Sequence, residues 1–173
     1  MKLSADLENA FNDQITLEIA SSTVYRQLAV ELALADLPGM AAWLRRQADE
    51  ELVHMNKFID HLVARGNHPK IGATPAPEVT VDSPLDAFEV ALQHEQKVSE
   101  SIRDLVRKAE KEGDLDSRPL LNFFLAEQVE EEDTVGEIVG RVKLTGDDGP
   151  GLLRLDAELG ARPVRPTEPA SNA

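Results

Sequence analysis

The chain has 173 residues, of which 42% are hydrophobic and 29% are charged, so it is long enough for one globular domain with a buried core. Its net charge of −14 argues against binding to a nucleic-acid backbone and favours a cationic partner. Cysteine is absent, which excludes disulfides and thiolate metal sites, and we expect neither a signal peptide nor a membrane span, and therefore a cytoplasmic location.

The first two predicted helices form a hairpin around a short turn. Apolar residues keep a helical period from Ser4, which is a suitable N-cap, to Leu34. Pro38 stands where a first helical turn accepts proline, and the second helix extends from there to about Arg65, before the stop signal at Gly66. We therefore expect two long antiparallel helices.

Residues 67–82 contain prolines and glycines that forbid a helix. When extended, about 16 residues can span roughly 50 Å, whereas a helix of about 28 residues is roughly 42 Å long. The segment is thus long enough to cross the whole length of a bundle, which makes the second and third helices parallel. The predicted fold is all-α: an antiparallel four-helix bundle with one long crossover between helices 2 and 3.

The second half of the chain predicts two more long helices and one short one. Their predicted ranges are 83–112, 119–145 and 152–159. Gly160 is expected to end the short fifth helix at the C-terminal side of the bundle. We expect one domain over residues 1–160, followed by a disordered, proline-containing tail over residues 161–173.

Two pairs of candidate metal ligands share a spacing of 33 residues, and each pair brackets a predicted turn near its midpoint. Residues equidistant from the turn of an antiparallel hairpin lie at the same height. A further candidate follows three residues after the second member of each pair, on the same helix face. The set is Glu18, Glu51 and His54 in the first hairpin, with Glu95, Gln128 and Glu131 in the second. Oxygen and imidazole ligands at one level of a bundle suit a pair of divalent metal ions.

The six residues divide into two metal positions that share one bridging carboxylate. The two positions are Glu18, Glu51 and His54 for one ion, and Glu51, Glu95 and Glu131 for the other. Gln128 is neutral, so it either binds metal more weakly or orients dioxygen or water. Tyr25 lies two turns after Glu18 on the same face, where it either serves the metal ligands or is a core tyrosine with a satisfied hydroxyl.

A second acidic set lies beside the first one. Glu50, Glu127 and Glu130 are on adjacent faces of helices two and four, about 100° round from the central set. They form either a third metal position or a solvated acidic face, and the sequence leaves both interpretations open.

The remaining histidines are not predicted to be ligands. His61 and His68 are expected at the surface, and His94 is expected to point away from the helix face that carries Glu95.

These residues resemble those of the bacterial non-haem ferritins, over roughly residues 4–160. The segments that carry the resemblance are Leu17-Glu18, Tyr25, Leu44-Arg45-Arg46, Glu50-Glu51-Leu52-Val53-His54-Met55, His94-Glu95 and Glu127-Gln128-Val129-Glu130-Glu131-Glu132. Ferritin-like bundles that carry two Glu-x-x-His motifs differ from this chain, whose second motif reads Gln128-Val-Glu-Glu131. This departure points away from bacterioferritins and rubrerythrins. Leu52 stands where bacterioferritins carry a haem-binding methionine, so no haem is expected.

The resemblance implies a shell of 24 subunits that stores iron. In the family, a ferroxidase site oxidises iron(II) with dioxygen or hydrogen peroxide, and iron(III) passes inward to an oxyhydroxide mineral. By resemblance, the first iron site is Glu18, Glu51 and His54, and the second is Glu51, Glu95, Gln128 and Glu131. A third site corresponds to Glu50, Glu127 and Glu130, with a contribution from Glu131, and Tyr25 is the tyrosine beside the centre.

Two other functions are compatible with the same pattern. One is a free-standing di-iron oxidase or peroxidase, similar to rubrerythrin, without a mineral. The other is a structural bundle without metal, which has to treat the matched spacings as accidental. The predicted fifth helix favours the shell, because a four-helix oxidase has no evident need for it.

Overall fold

The computed structural model describes residues 1–162, which form helices joined by loops. The helices are α1 (Ala5–Leu34), α2 (Pro38–Ala64), α3 (Pro84–Glu112), α4 (Arg118–Thr145) and α5 (Gly149–Ala161). Helix α1 packs against α2 and α3, α3 packs against α4, and α5 packs mainly against α2. The predicted all-α bundle with a long crossover and a fifth helix is confirmed. No helix among the described residues is long and apolar enough to cross a membrane.

The helix ends follow the capping signals of the sequence. The hydroxyl of Ser4 accepts a hydrogen bond from the backbone N–H of Leu7 at 3.1 Å, and Ser83 does the same for Asp86 at 3.2 Å. Gly113 ends α3 in the left-handed conformation, with φ of 71°, which glycine adopts without a steric penalty. The ends of α1 to α4 consequently lie within one residue of the predicted ones.

The crossover runs along the outside of the bundle. Near its start, the side-chain oxygen of Asn12 accepts a hydrogen bond from the backbone N–H of Lys70 at 2.7 Å. Near its end, Val79 and Val81 pack against a hydrophobic cluster that includes Leu32. The α1 members of that cluster extend from Tyr25 to Leu32, so the two attachment points are roughly 20–30 Å apart along the α1 axis. The segment therefore covers most of the bundle length, as predicted.

The fifth helix is longer than predicted at both ends. Pro150 lies in its first turn, where a missing N–H costs no helical hydrogen bond. The prediction that Gly160 ends the helix is wrong, because Gly160 is helical and Ala161 is the last residue. A Cβ on Gly160 would lie 2.9 Å from the Cα of Gly39, so the glycine allows close packing against α2. Residues 163–173 of the predicted tail lie outside the described residues, and the division between domain and tail stays a prediction.

Helix α5 supplies the N-terminal cap that α2 lacks in its own sequence. The cap position of α2 is Leu37, which has no side-chain oxygen. The carboxylate of Asp156 instead accepts a hydrogen bond from the backbone N–H of Met40 at 2.7 Å. Nη2 of Arg46 donates to the backbone oxygen of Leu159 at 2.6 Å. Two polar contacts between distant parts of the chain thus hold α5 on α2.

The hydrophobic core is divided into two clusters along the bundle axis. One cluster contains Phe11, Phe58 and Phe124, with the last two rings stacked at 4.2 Å between centroids. The other contains Trp43 and Phe88, whose centroids are 5.7 Å apart. Between them, buried polar side chains occupy the middle of the bundle. The two apolar ends position this polar layer.

Candidate metal centre

All six residues of the predicted central set lie in the polar layer. Helix α1 contributes one of them, α2 two, α3 one and α4 two, and none is more than 4% exposed. They are Glu18, Glu51, His54, Glu95, Gln128 and Glu131. The matched spacings thus correspond to residues that four helices bury at one level.

Three of the six form a compact group of ligand atoms. One carboxylate oxygen from each of Glu18 and Glu51 and one ring nitrogen of His54 lie within 4.8 Å of one another. Nδ1 of His54 is 3.5 Å from Oε2 of Glu51. Oε2 of Glu18, Oε2 of Glu51 and Nε2 of His54 are buried and make no hydrogen bond with the described residues. Buried polar atoms are rarely left in this state, so this arrangement fits a bound cation.

The other three residues are held by hydrogen bonds. Nε2 of Gln128 donates to Oε2 of Glu95 at 3.2 Å, and Nε2 of Gln47 donates to Oε2 of Glu131 at 3.0 Å. Neither compact group of His, Asp and Glu ligand atoms found within residues 1–162 includes Glu95 or Glu131. These two carboxylates lie in the same layer as the first group, but each accepts a hydrogen bond from a glutamine side chain.

Sequence reasoning missed two glutamines that orient the carboxylates. Nε2 of Gln14 donates to Oε1 of Glu18 at 2.7 Å, and Gln14 in turn accepts a hydrogen bond from Ser101 of α3 at 2.6 Å. Gln47 orients Glu131, as described above. The sequence contained a signal for both glutamines, because each lies four residues before a predicted ligand and so on the same helix face. Gln14 precedes Glu18, and Gln47 precedes Glu51.

Burial makes the central carboxyl groups harder to ionise. The pKa of Glu18 is raised well above its ordinary value, first by burial and then by the charge of Glu51. The pKa of Glu51 is raised well above its ordinary value by burial and by the charge of Glu95. Burial also raises the pKa of Glu95, although hydrogen bonds from Tyr25 and Gln128 oppose it. A bound cation would favour the ionised form of these groups and so oppose the effect of burial.

Tyr25 belongs to the centre as well as to the core. Its side chain is fully buried, and its hydroxyl donates a hydrogen bond to Oε1 of Glu95. Burial raises the pKa of Tyr25 well above its ordinary value, and the charge of Glu95 adds to the effect. The phenol therefore keeps its proton and points it at a predicted metal ligand.

The second acidic set is only partly brought together. Oxygens of Glu50 and Glu127 and a ring nitrogen of His54 lie within 4.8 Å of one another. Glu50 is 9% exposed and Glu127 is half-buried. Glu130 is exposed and does not belong to this group. The histidine in this position was not among the predicted third-site residues.

The other histidines lie outside both groups. His61 is half-buried rather than fully exposed, because it stacks on Phe11 and shares a 2.8 Å hydrogen bond with Ser117. His68 is exposed, as predicted. His94 is half-buried and shares a 2.7 Å hydrogen bond with Ser21, and burial and the charge of Lys97 lower the pKa of His94 to about 4.

Comparison with known proteins gives one consistent result. The family described as Ferritin, ferritin-like domain, matches residues 8–145. A bacterial non-heme ferritin of Escherichia coli O6:H1 is 32% identical over 157 residues, which cover 91% of this chain and 95% of that protein. The corresponding ferritin of Staphylococcus haemolyticus is 36% identical over 160 residues, which cover 92% of this chain and 96% of that protein.

Solved structures agree with these sequence relatives. An engineered closed form of the Archaeoglobus fulgidus ferritin superposes with a TM-score of 0.92 and 38% identity, over 95% of this chain and 100% of that chain. The open-pore ferritin of the same archaeon superposes with a TM-score of 0.91 and 38% identity, over 94% of this chain and 100% of that chain.

Proposed function

Because this chain belongs to the ferritin family, we propose that it stores iron and is a ferroxidase that oxidises iron(II) to iron(III) at the centre of its own bundle. The observation that carries the proposal is the buried group of Glu18, Glu51 and His54. Each of these side chains has one polar atom that makes no hydrogen bond with the described residues. Such a group is costly in a folded protein unless a cation or protons neutralise it.

We assign two irons to the centre of each subunit and a third to its side. Glu18, Glu51 and His54 hold the first, and Glu51, Glu95, Gln128 and Glu131 hold the second. Glu95 and Glu131 must exchange their amide hydrogen bonds for the metal. Glutamine is a weak ligand, so we expect the second iron to bind less tightly than the first. The third position uses Glu50 and Glu127, and Glu130, which is exposed and outside their group, would have to turn towards it.

Iron is the substrate here, and the two ions supply the electrons of the reaction. Two iron(II) ions lose one electron each, and dioxygen takes up two electrons and two protons to give hydrogen peroxide. Hydrogen peroxide can act as the oxidant in the same way, giving two molecules of water. The protein holds the ions close together and excludes bulk water, while Tyr25 keeps a hydrogen bond on Glu95.

The stored product requires a shell, which we propose to be a homo-oligomer of 24 subunits in the cytoplasm. Large apolar side chains support further contacts, since Leu34 is 77% exposed, Ile71 is 61% exposed and Leu144 is 88% exposed in the single subunit. Iron(III) would pass inward and deposit as an oxyhydroxide mineral. We propose no haem, because Leu52 offers no axial ligand next to Glu51. The free-standing oxidase is the weaker alternative, since the relatives described above are ferritins.

The test is aerobic iron(II) oxidation by the Glu18→Ala, His54→Ala double variant, followed by stopped-flow absorbance. We expect loss of the fast phase, by about 100-fold or more, because the first iron loses two of its three ligands. Circular dichroism and size-exclusion mass should match the wild type. The control is Glu110→Ala, which changes an exposed glutamate of α3 and should keep the wild-type rate. A double variant that oxidises iron at the wild-type rate would show that the central site is not the ferroxidase.

A further inference from the structure

His54 lies in both groups of ligand atoms. One ring nitrogen is within 4.8 Å of oxygens from Glu18 and Glu51, and one is within 4.8 Å of oxygens from Glu50 and Glu127. The inner position is defined here as Glu18, Glu51 and His54, and the outer position as Glu50, His54 and Glu127. The two positions share one imidazole, although their carboxylates are different.

The imidazole of His54 is held in place by packing, and one of its ring nitrogens makes no hydrogen bond with the described residues. His54 is 2% exposed, and the ring of Phe124 packs against it at 5.3 Å between centroids, nearly perpendicular at 84°. Phe124 and Glu127 are three residues apart on α4, so the same helix face restrains the ring and presents the outer carboxylate. Nε2 of His54 makes no hydrogen bond with the described residues. A buried ring nitrogen without a partner, next to two acidic groups, points to a ligand.

A neutral imidazole has one lone pair in the ring plane, because the other ring nitrogen carries a proton. It can therefore bind one cation at a time. Two divalent cations that close to one another also repel, and this repulsion is stronger in a buried layer than in water. Occupation of either position therefore opposes occupation of the other.

We propose that His54 is a shared ligand that couples the inner and outer positions negatively, so that a cation at one weakens cation binding at the other. The inference rests on the proposed function for the identity of the inner position. It differs from the third site of the sequence analysis, which included Glu130 and not His54. Because coupling between binding sites is reciprocal, each position reports on the other.

The test uses zinc(II), which is redox-inert and accepts carboxylate and imidazole ligands. Crystals of the wild-type chain and of the Glu18→Gln, Glu127→Gln and Glu110→Gln variants are equilibrated with graded zinc(II). Anomalous scattering at the zinc edge then gives the occupancy of each position and shows which ion has a ring nitrogen at about 2.0–2.1 Å. Each substitution removes one charge and keeps the shape of the side chain.

In Glu18→Gln, the outer position should fill at a zinc(II) concentration about fivefold or more below that needed in the wild type, because His54 is released. Glu127→Gln should empty the outer position and retain the inner one. Glu110→Gln should match the wild type, since that exposed side chain lies outside both groups.

Three results would overturn the inference. The first is an outer position that fills at the same zinc(II) concentration in Glu18→Gln and in the wild type. The second is two ions bound at once to the two nitrogens of His54. The third is no zinc at Glu50 and Glu127 in Glu18→Gln. None of these depends on oxidation, whereas failure of the wild-type protein to oxidise iron(II) would reject the proposed function and leave the zinc result standing.

Discussion

At the scale of single residues, the carboxyl group of Glu18 is oriented through one oxygen, while its other oxygen can bind a cation. Its Oε1 accepts a hydrogen bond from Gln14, which fixes the carboxyl group, and its Oε2 accepts none from the described residues. A carboxylate that is oriented by one oxygen keeps the other available for a cation. Gln47 orients Glu131 in the same way from a different helix. The glutamines therefore prepare the site without occupying it.

The raised pKa of Glu18 predicts how the stability of the metal-free protein depends on pH. An unfolded glutamate has a pKa of about 4.3, so the folded state, with its higher pKa, binds the proton more tightly. The resulting stabilisation is complete below the unfolded pKa and is lost as the pH rises through the folded pKa. Wild-type protein freed of metal should therefore melt at a progressively lower temperature above about pH 4.3.

The Glu18→Gln variant should lose less stability over the same pH range, because its amide does not ionise. Glu110→Gln removes the same charge from an exposed site, so it separates this effect from that of net charge. Calorimetric scans after chelation, at several pH values, measure the difference. If the wild-type protein and Glu18→Gln lose stability in parallel, the buried proton is not the cause.

At the scale of helices, α5 depends on α2 for its position and in return caps it. The N-terminus of α2 has no capping side chain of its own, and Asp156 provides the missing oxygen to the backbone N–H of Met40. Helix α2 also carries Glu50, Glu51 and His54. The fifth helix thus stabilises the end of a helix that contains two of the three residues of the proposed first iron site and both α2 residues of the outer position.

Asp156→Ala should lower the free energy of unfolding by about 1–2 kcal/mol, which is the usual cost of losing a cap. Asp156→Asn should recover most of it, because an amide oxygen can still accept the hydrogen bond. The control is Asp147→Ala, which changes an exposed residue of the preceding turn. Chemical denaturation gives the energies, and amide hydrogen exchange over 149–161 shows whether α5 opens. Equal exchange in Asp156→Ala and in the wild type would argue against docking through this carboxylate.

Replacement of a helical glycine by alanine should have opposite effects on stability at two positions. A Cβ on Gly39 would lie 1.9 Å from the backbone oxygen of Asp156, so Gly39→Ala must displace α5 and should cost about 1–3 kcal/mol. A Cβ on Gly140 would meet nothing within 4 Å, so Gly140→Ala should stabilise α4 by about 0.5–1 kcal/mol. Thermal melting of both variants tests the contrast. A loss of stability in Gly140→Ala would indicate that another subunit packs on this part of α4.

At the scale of the whole molecule, the bundle consists of two apolar ends and a charged middle. The apolar clusters stabilise the fold, whereas the buried carboxylates in the middle oppose it when they are ionised. Cations bound in this layer would neutralise the carboxylates. Metal binding and folding are therefore expected to support each other.

Zinc(II) at a free concentration of about 100 times its dissociation constant should stabilise the folded protein by about 2.7 kcal/mol per site at neutral pH. For a chain of this length, that corresponds to an increase in melting temperature of roughly 5 °C or more. Differential scanning calorimetry with and without zinc(II) measures it. The Glu18→Ala, His54→Ala variant should show a smaller increase, and an increase as large as that of the wild type would place the stabilising ion elsewhere.

The sequence by itself determined the four long helices, their turns and the level at which the candidate ligands meet. These features depend on local signals, since capping residues end helices and equal distances from a turn, as for Glu18 and Glu51, set equal heights. The local pattern also predicted which residues are buried together in the middle of the bundle, because residues three or four apart share a face.

The tertiary structure alone decided which ligand atoms come together. Helical spacing places a residue on a face, but the rotation of each helix and the rotamer of each side chain depend on packing against other helices. For that reason the sequence grouped Glu130 with Glu50, whereas packing places His54 there and leaves Glu130 exposed. The extension of α5 was decided in the same way, because its docking depends on a contact between Asp156 and Met40, which are 116 residues apart.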